Sequence, residues 1–260
     1  MNNTKRNCVM MVAGPFEKDY WREWAEWHKH LGFDDVWIIT NNWSLPEDKP
    51  DYVHTERLDG PLPQLRAYNM FCWTHLNDYD WVMVLDGDEF LQIPRPLEYY
   101  FKRGEGLHVS QICFQWLYFG DGGEGVPTSG SVVQRFKRSA GVYNTWVKSA
   151  ISLKWFRENN QIPMWVHPHF VCTPTFRLPS LHFPSEKLMS GPENFEYSGK
   201  PVTKDMPYVA HYFTKTKKEW DERRSIPRPD IGKRRDESEF YKDNHNEVEW
   251  TQLAEIQSQF

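Results

Sequence analysis

The chain opens with apolar runs of strand length set between stretches of helical periodicity. Cys8-Val9-Met10-Met11-Val12 is an unbroken apolar run, which predicts a strand buried on both faces. From about Asp19 to Leu31 the period changes. Tyr20, Trp24, Trp27 and Leu31 recur at steps of four, three and four, the stripe of an amphipathic helix, and Gly32 stands where a C′ residue would close it. A strand over Asp35 to Thr40, a polar loop from Asn41 to Lys49 and a short strand near Tyr52 to Thr55 follow. A helix from roughly Pro63 to Leu76 and a strand over Val82 to Leu85 continue the alternation, which argues for a mostly parallel sheet with helices packed on its faces. After Phe90 the pattern changes. Strand-like Val109 to Leu117 and Ser131 to Phe136 are separated by loops rich in Gly, Pro and charge, and the five glycines of Gly120 to Gly130 predict a mobile loop. From Glu219 onward charge dominates, with Arg223-Arg224 and Lys233-Arg234-Arg235, and the segment reads as a solvated helical tail.

The strand at Val82 to Leu85 runs into Asp86-Gly87-Asp88-Glu89. A strand buried on both faces cannot absorb such a cluster uncompensated, because unpaired buried charge is expensive. Carboxylates at the carboxyl end of a buried strand lie where open α/β sheets bind ligands. Hard oxygen donors suit Mg²⁺ or Mn²⁺, ions that commonly arrive with a phosphorylated substrate. The plain alternative is a tight Asp-Gly turn leaving a strand.

Composition narrows the partners. With 31 basic against 36 acidic residues and a net charge of −5, no overall positive field recruits nucleic acid. The 13 Trp exceed what a core of this size needs, and surplus Trp and Tyr line sugar or nucleotide clefts, or sit at membrane interfaces. The four cysteines are scattered without metal-ligand spacing, which predicts buried free thiols in a reducing compartment. Polar Met1 to Asn7 leads straight into the first strand, and no apolar stretch is long enough to span a bilayer. A cytoplasmic location is expected, with peripheral association at the inner membrane face as the variant.

Asp86-Gly87-Asp88-Glu89-Phe90-Leu91 resembles the Asp-x-Asp-Glu-Phe-Leu signature of a group of GT-A-fold glycosyltransferases, the family 92 enzymes and their bacterial and viral relatives, near the family 2 transferases. Further matches fall in the same order. Glu17, Glu23-Trp24, His28 and Gly32-Phe33 resemble that group's opening pattern, and Gln64 with Ala67 its Gln-x-x-Ala helix start. Trp116 to Gly120 resembles its Trp-x-x-Phe-Gly strand, followed by Arg135-Phe136 and Lys148. His211-Tyr212-Phe213-Thr214-Lys215-Thr216 with Glu219-Trp220 resembles its His-Tyr-x-x-Lys-Ser block, and Arg228-Pro229-Asp230 fits an Arg-x-Asp beyond it. The resemblance implies a single GT-A-like (Rossmann-like) α/β domain over 1–260, with a mixed, mostly parallel central sheet flanked by helices. Within it, a nucleotide-binding half of about 1–91 precedes an acceptor-binding half of about 92–220 and a charged tail of about 221–260. Two departures stand out. Asn41 or Asn42 occupies the place where the group often has an Asp beside the uracil ring, and Asp121 follows Phe119-Gly120 where the group has Ser.

The implied activity is metal-dependent transfer, inverting in outcome, of a sugar from a UDP-sugar to a glycan or lipid-linked glycan. Asp86, Asp88 and His211 are the expected ligands of Mn²⁺ or Mg²⁺. Glu17, Asn41, Gln64, Asp86, Lys215 and Arg228 are the expected donor contacts. Glu89, on the opposite side of an extended chain from Asp88, is expected to brace the site. An inverting transfer needs a carboxylate on the acceptor side, and Asp121 and Glu124 on the Gly-rich loop are the candidates. The block from His211 to Lys215 lies in a polar segment expected to be loosely held alone and ordered by ligand. Two other classes stay open. A metal-dependent nucleotidyltransferase or phosphohydrolase would use the same carboxylates, although Val12-Ala13-Gly14-Pro15-Phe16-Glu17 lacks the Gly-rich basic loop such a nucleotidyltransferase would carry. A non-catalytic carbohydrate-binding protein would need only the aromatic platforms.

Overall fold

The computed structural model describes residues 6–172, 178, 180–189, 191, 193–228 and 231–260. Its first half alternates as the periodicities require: β1 (Asn7–Ala13), α1 (Trp21–His30), β2 (Asp35–Thr40), β3 (Val53–Arg57), α2 (Pro63–Thr74), β4 (Trp81–Val84) and β5 (Glu89–Gln92). Then come α3 (Leu97–Gly106), β6 (Gln111–Tyr118), α4 (Val132–Arg135), β7 (Arg138–Ser139), β8 (Val147–Ser152), α5 (Leu153–Glu158), β9 (Met164–His167), β10 (Phe170–Cys172), β11 (Ser180–Phe183) and β12 (Lys187–Met189). The chain ends with β13 (Tyr208–His211), α6 (Lys217–Arg224), α7 (Glu237–Asp243), β14 (Val248–Glu249) and α8 (Gln252–Gln257).

The central sheet is mixed, in the order β12-β11-β6-β8-β4-β1-β2-β3. β3, β2, β1 and β4 run parallel, and β8 lies antiparallel between β4 and β6. Along one edge β6 pairs first with β11 and then, from Trp116 onward, with β13. The apolar runs are explained by cover on both faces. Val9, Met11, Met83 and Leu85 pack toward α1 and α3, whereas Cys8, Met10, Val82 and Val84 pack toward α2 and α5. All four cysteines are buried free thiols. Among the described residues no helix is long and apolar enough to cross a membrane.

The opening motif of α1 is the clamp that fixes β5. The indole N–H groups of Trp24 and Trp27 donate to the carbonyls of Glu89 (2.9 Å) and Leu91 (2.8 Å). His28 donates from Nδ1 to the Trp24 carbonyl (2.8 Å), which leaves Nε2 to accept from the Leu91 N–H (3.3 Å). These side chains satisfy one edge of β5, and β13 pairs antiparallel on the other, setting His211 opposite Glu89.

Two local expectations change. Ser131 to Phe136 is a helical turn, not a strand. Ser131 Oγ accepts from the Gln134 N–H, and the Glu23 carboxylate accepts from the N–H groups of Val132 (2.7 Å) and Val133 (3.2 Å), so the free donors of a helix start are all met. The polar block near the C-terminus also begins inside the core: Tyr208 to His211 are buried as a strand between β5 and β6. Alternating Tyr208, Val209 and Ala210 is too short a signal to announce that strand.

Candidate active site

β4 delivers Leu85 and then the turn Asp86-Gly87-Asp88, closed by the Glu89 N–H donating to the Asp86 carbonyl (3.0 Å). Gly87 is demanded by close approach. A Cβ there would lie 2.5 Å from Glu17 Cγ, and Glu17 is itself fixed by accepting the Gly14 N–H (2.8 Å). The turn sends its carboxylates to different environments. Asp86 is 32% exposed but fully engaged: Oδ1 accepts from Gln64 Nε2 (2.7 Å) and Tyr68 OH (3.3 Å), and Oδ2 from Lys148 Nζ (2.8 Å). Lys148 is wholly buried and also lies 3.3 Å from Glu89 Oε2. Burial alone would favour its neutral amine, yet the Asp86 and Glu89 carboxylates raise its pKa and keep it charged. Glu89 Oε2 accepts the Asp86 N–H (2.8 Å), so Glu89 braces the turn from below.

Asp88 points the other way and is 3% exposed. His211 Nε2 lies 3.7 Å from Asp88 Oδ2, and the Arg223 guanidinium donates to the same oxygen and to the Phe213 carbonyl (3.0 Å). Burial works against the Asp88 charge, but Arg223, His211 and Lys215 hold its pKa well below the usual range. Burial lowers the His211 pKa, so a carboxylate faces a neutral imidazole. Asp88 Oδ1 and His211 Nδ1 are sealed from solvent and lack hydrogen-bond partners among the described residues. Among those residues no three of the His, Cys, Asp and Glu side chains converge as one metal cluster. Asp88 and His211 come together, while Asp86 is turned to Lys148 and Gln64.

Arg223 is aimed by a capped helix. Thr216 and Glu219 form a capping box at the start of α6, and Glu219 also receives both guanidinium nitrogens of Arg135 (3.0 and 2.9 Å) and the Tyr20 hydroxyl. Arg223 follows one turn later, on the same helix face. Lys215 is buried at a left-handed φ of 50°, with Nζ over the rings of Tyr20 (4.7 Å) and Phe16 (5.1 Å) and no salt bridge among the described residues. Burial brings its pKa down to about 8. Arg228, bonded to Glu239 (3.3 Å), and Arg235 also line the cleft, so part of the charged tail faces it although most of the tail is exposed. Pro229 and Asp230 of the Arg-x-Asp match lie outside the described residues.

Asp86, Asp88, His211, Arg223, Arg228 and Arg235 line a cleft of about 1110 Å³, which Lys215 does not border. Pockets for one drug-sized ligand run to ~1,000 Å³, so this one is at the large end of that range. Glu17, Asn41, Gln64, Asp86, Asp88, His211 and Arg228 all border it. Asn41 spends its amide on the Leu58 (2.8 Å) and Gly60 (3.1 Å) carbonyls, and its Oδ1 accepts from Asn42 Nδ2 (3.0 Å), so it shapes the rim. Asp121 and Glu124 are not in the lining. Asp121 Oδ1 accepts from the Gly123 N–H (3.0 Å) and Asn246 Nδ2 (2.8 Å), and Glu124 is exposed. The wall that meets His211 is aromatic, built from Trp116, Tyr118, Trp146, His167 and His169. Sequence reasoning missed Arg223, Arg235 and the histidines of this wall. The Trp165-Val166-His167-Pro168-His169 stretch was the available signal.

No family model matches the chain, and no curated protein matches it. Among solved structures, HddC from Yersinia pseudotuberculosis is similar at 13% identity and a TM-score of 0.41, over 83% of this chain and 96% of that one. The 4-diphosphocytidyl-2C-methyl-D-erythritol synthase from Anaerococcus prevotii is similar at 9% identity and a TM-score of 0.31, over 63% of this chain and 81% of that one. Likeness at this level carries no assignment of function.

Proposed function

We propose that the cleft binds a nucleotide-diphosphate sugar, a UDP-sugar as the expected donor, with Mn²⁺ or Mg²⁺, and passes the sugar with inversion to a hydroxyl of a glycan or lipid-linked glycan. The observation that carries this reading is the pair Asp88 and His211 at the cationic end of the cleft. An ionised carboxylate and a neutral imidazole are a donor set for Mn²⁺ more than for Mg²⁺. His211 Nε2 and Asp88 Oδ2 stand 3.7 Å apart, and Arg223 donates to that same oxygen, so an ion held by the pair would displace Arg223 from it. The unpartnered Asp88 Oδ1 is an acceptor awaiting a cation or donor.

Asp88 and His211 would hold the ion, which when bound supplies positive charge to the departing diphosphate. The remaining work falls to this chain's own groups. Arg223, Arg228 and Arg235 add positive charge at the same end, where a leaving diphosphate gains charge, and buried Lys215 contributes only through its charge near Asp88. Asp86, held on both oxygens, offers its exposed edge to the ribose side. Gln64 and Glu17 keep the turn in register. Asp121 and Glu124 could take the acceptor proton only after their loop folds over Tyr118.

The test is product analysis. With Mn²⁺ and a panel of UDP-, GDP- and TDP-sugars, release of a nucleoside diphosphate supports transfer. Formation of pyrophosphate from a nucleoside triphosphate and a sugar phosphate would instead establish nucleotidyl transfer and overturn the reading.

A further inference from the structure

We propose that the wall of Trp116, Trp146, His167 and His169 is a subsite for a pyranose ring, with His169 Nε2 accepting a hydrogen bond from a ring hydroxyl. The proposal deepens the transferase reading, because it gives the acceptor a place and a chemistry.

The wall is a cluster of touching aromatic rings. Trp146 and His167 are stacked with nearly parallel planes, 8° apart and with centroids at 5.5 Å. His169 joins both, at 5.0 Å from Trp146 and 4.9 Å from His167, and Trp116 follows at 4.8 Å from His169. Trp146, His167 and His169 stay partly exposed, and all four line the cleft. Such a surface suits the apolar C–H face of a sugar ring, whose edge then needs polar partners. Two are at hand. His169 donates from Nδ1 to the Val147 carbonyl (2.8 Å), which fixes the tautomer and leaves Nε2 as an acceptor with no partner among the described residues. Burial, together with the charge of Lys148 and the neighbouring His167 and His211, keeps that ring unprotonated. The indole N–H of Trp116 is buried and also lacks a partner among the described residues, so a ligand oxygen would remove a standing cost.

Location supports the same reading. Trp116 packs against His211 at 4.3 Å, so a ring on this wall lies beside the Asp88–His211 pair, where a donor sugar would end. The nucleotide end of the cleft, by Gly14, Asn41 and Gly60, is lined by other elements.

Saturation-transfer NMR on the full chain tests this with methyl β-D-glucopyranoside, methyl β-D-galactopyranoside and methyl α-D-mannopyranoside, with and without UDP and Mn²⁺. Ring protons of at least one glycoside should be saturated. Trp146→Ala should abolish the effect, and His169→Phe, which keeps an aromatic ring and loses the acceptor, should weaken binding about tenfold. No saturation of any glycoside, an unchanged signal in both variants, or uridine competing for the same wall would overturn the proposal. Calorimetry with UDP and Mn²⁺ on the same preparation separates the two readings. Nucleotide binding without glycoside binding sinks only the subsite, and glycoside binding without nucleotide binding sinks only the transferase.

Discussion

Lys148 Nζ lies 2.8 Å from Asp86 Oδ2 with no solvent access of its own, so the strand-end motif rests on a cation contributed by the antiparallel strand β8. The same ammonium is 3.3 Å from Glu89, and one buried charge answers two carboxylates. Lys148→Met should destabilise the fold by about 3–5 kcal/mol, the range for breaking a buried pair from one side. The charge-balanced Lys148→Met/Glu89→Gln variant should recover a substantial part of that loss. Urea unfolding measures both, and an equal loss in the two variants would show that packing, not charge, is at stake.

On the proposed reading, a cation would compete with Arg223 for Asp88. Arg223→Ala should therefore bind Mn²⁺ more tightly in the absence of nucleotide, because the carboxylate is released, yet bind UDP with Mn²⁺ more weakly, because a phosphate partner is lost. Asp88→Ala should abolish the Mn²⁺ dependence of UDP binding. Manganese EPR and calorimetry read these separately. Weaker binding of both ligands in Arg223→Ala would mean that the guanidinium only organises the fold.

Gly87 and Glu17 are coupled by contact. Gly87→Ala should weaken UDP–Mn²⁺ binding by tenfold or more, since its Cβ would meet Glu17 Cγ at 2.5 Å and tilt the Asp-Gly-Asp turn. Truncating the obstacle should help: Gly87→Ala/Glu17→Ala should bind better than Gly87→Ala alone. That sign of non-additivity is expected only of residues that touch.

His28 makes stability depend on pH. Burial lowers its folded pKa to about 3, whereas the unfolded chain takes up the proton near pH 6.5. The unfolded state therefore binds more protons between those values, and the contribution is whole above pH 6.5 and lost as pH falls toward about 3. The slope from one such group approaches about 1.4 kcal/mol per pH unit. His28→Gln should flatten the decline measured by urea midpoints between pH 7 and 5. The remaining slope belongs in part to His182, which burial lowers to about 4. An unchanged slope would place the titrating group elsewhere.

The legible parts of this chain are those where one residue type has one physical use. Val82 to Leu85 suited a doubly covered strand, which the structure sets at Trp81–Val84, and Asp86 and Asp88 beyond it form a turn and are each paired with a counter-charge. The α1 stripe was legible as a helix, but its polar duty was not, because indole donors reaching Glu89 and Leu91 depend on a contact more than 60 residues away in sequence. Lys148 entered only through the resemblance. Arg223 and Arg235 sit in charge runs that read the same whether solvated or folded over a cleft, and for Arg223 it is α6's capping through Thr216, Glu219 and Arg135 that turns it inward. Asn41 was expected at the base and is spent on loop carbonyls. A propensity for polar contact does not say with whom.

The division of the C-terminal block sets the last prediction. Tyr208 to His211 are hydrogen-bonded on both sides and buried, so their amides should resist exchange with or without ligand. Residues 217–228 and 231–235 are different. They are mostly exposed, and what draws them to the core is the buried Trp220 against Phe213 and Phe240, Glu219 on Arg135 and Arg223 on Asp88. On the proposed reading, the Arg223–Asp88 contact would give way to diphosphate on Arg223, Arg228 and Arg235 and to the cation on Asp88, which would offset the entropy of ordering. UDP with Mn²⁺ should therefore slow hydrogen exchange across 217–235 by tenfold or more and leave 208–211 unchanged. Glu219→Gln should raise exchange in α6 before ligand is added and reduce the ligand effect. Uniform protection of the whole block, or none, would remove Arg223 and Lys215 from the proposed site and leave the segment as scaffold.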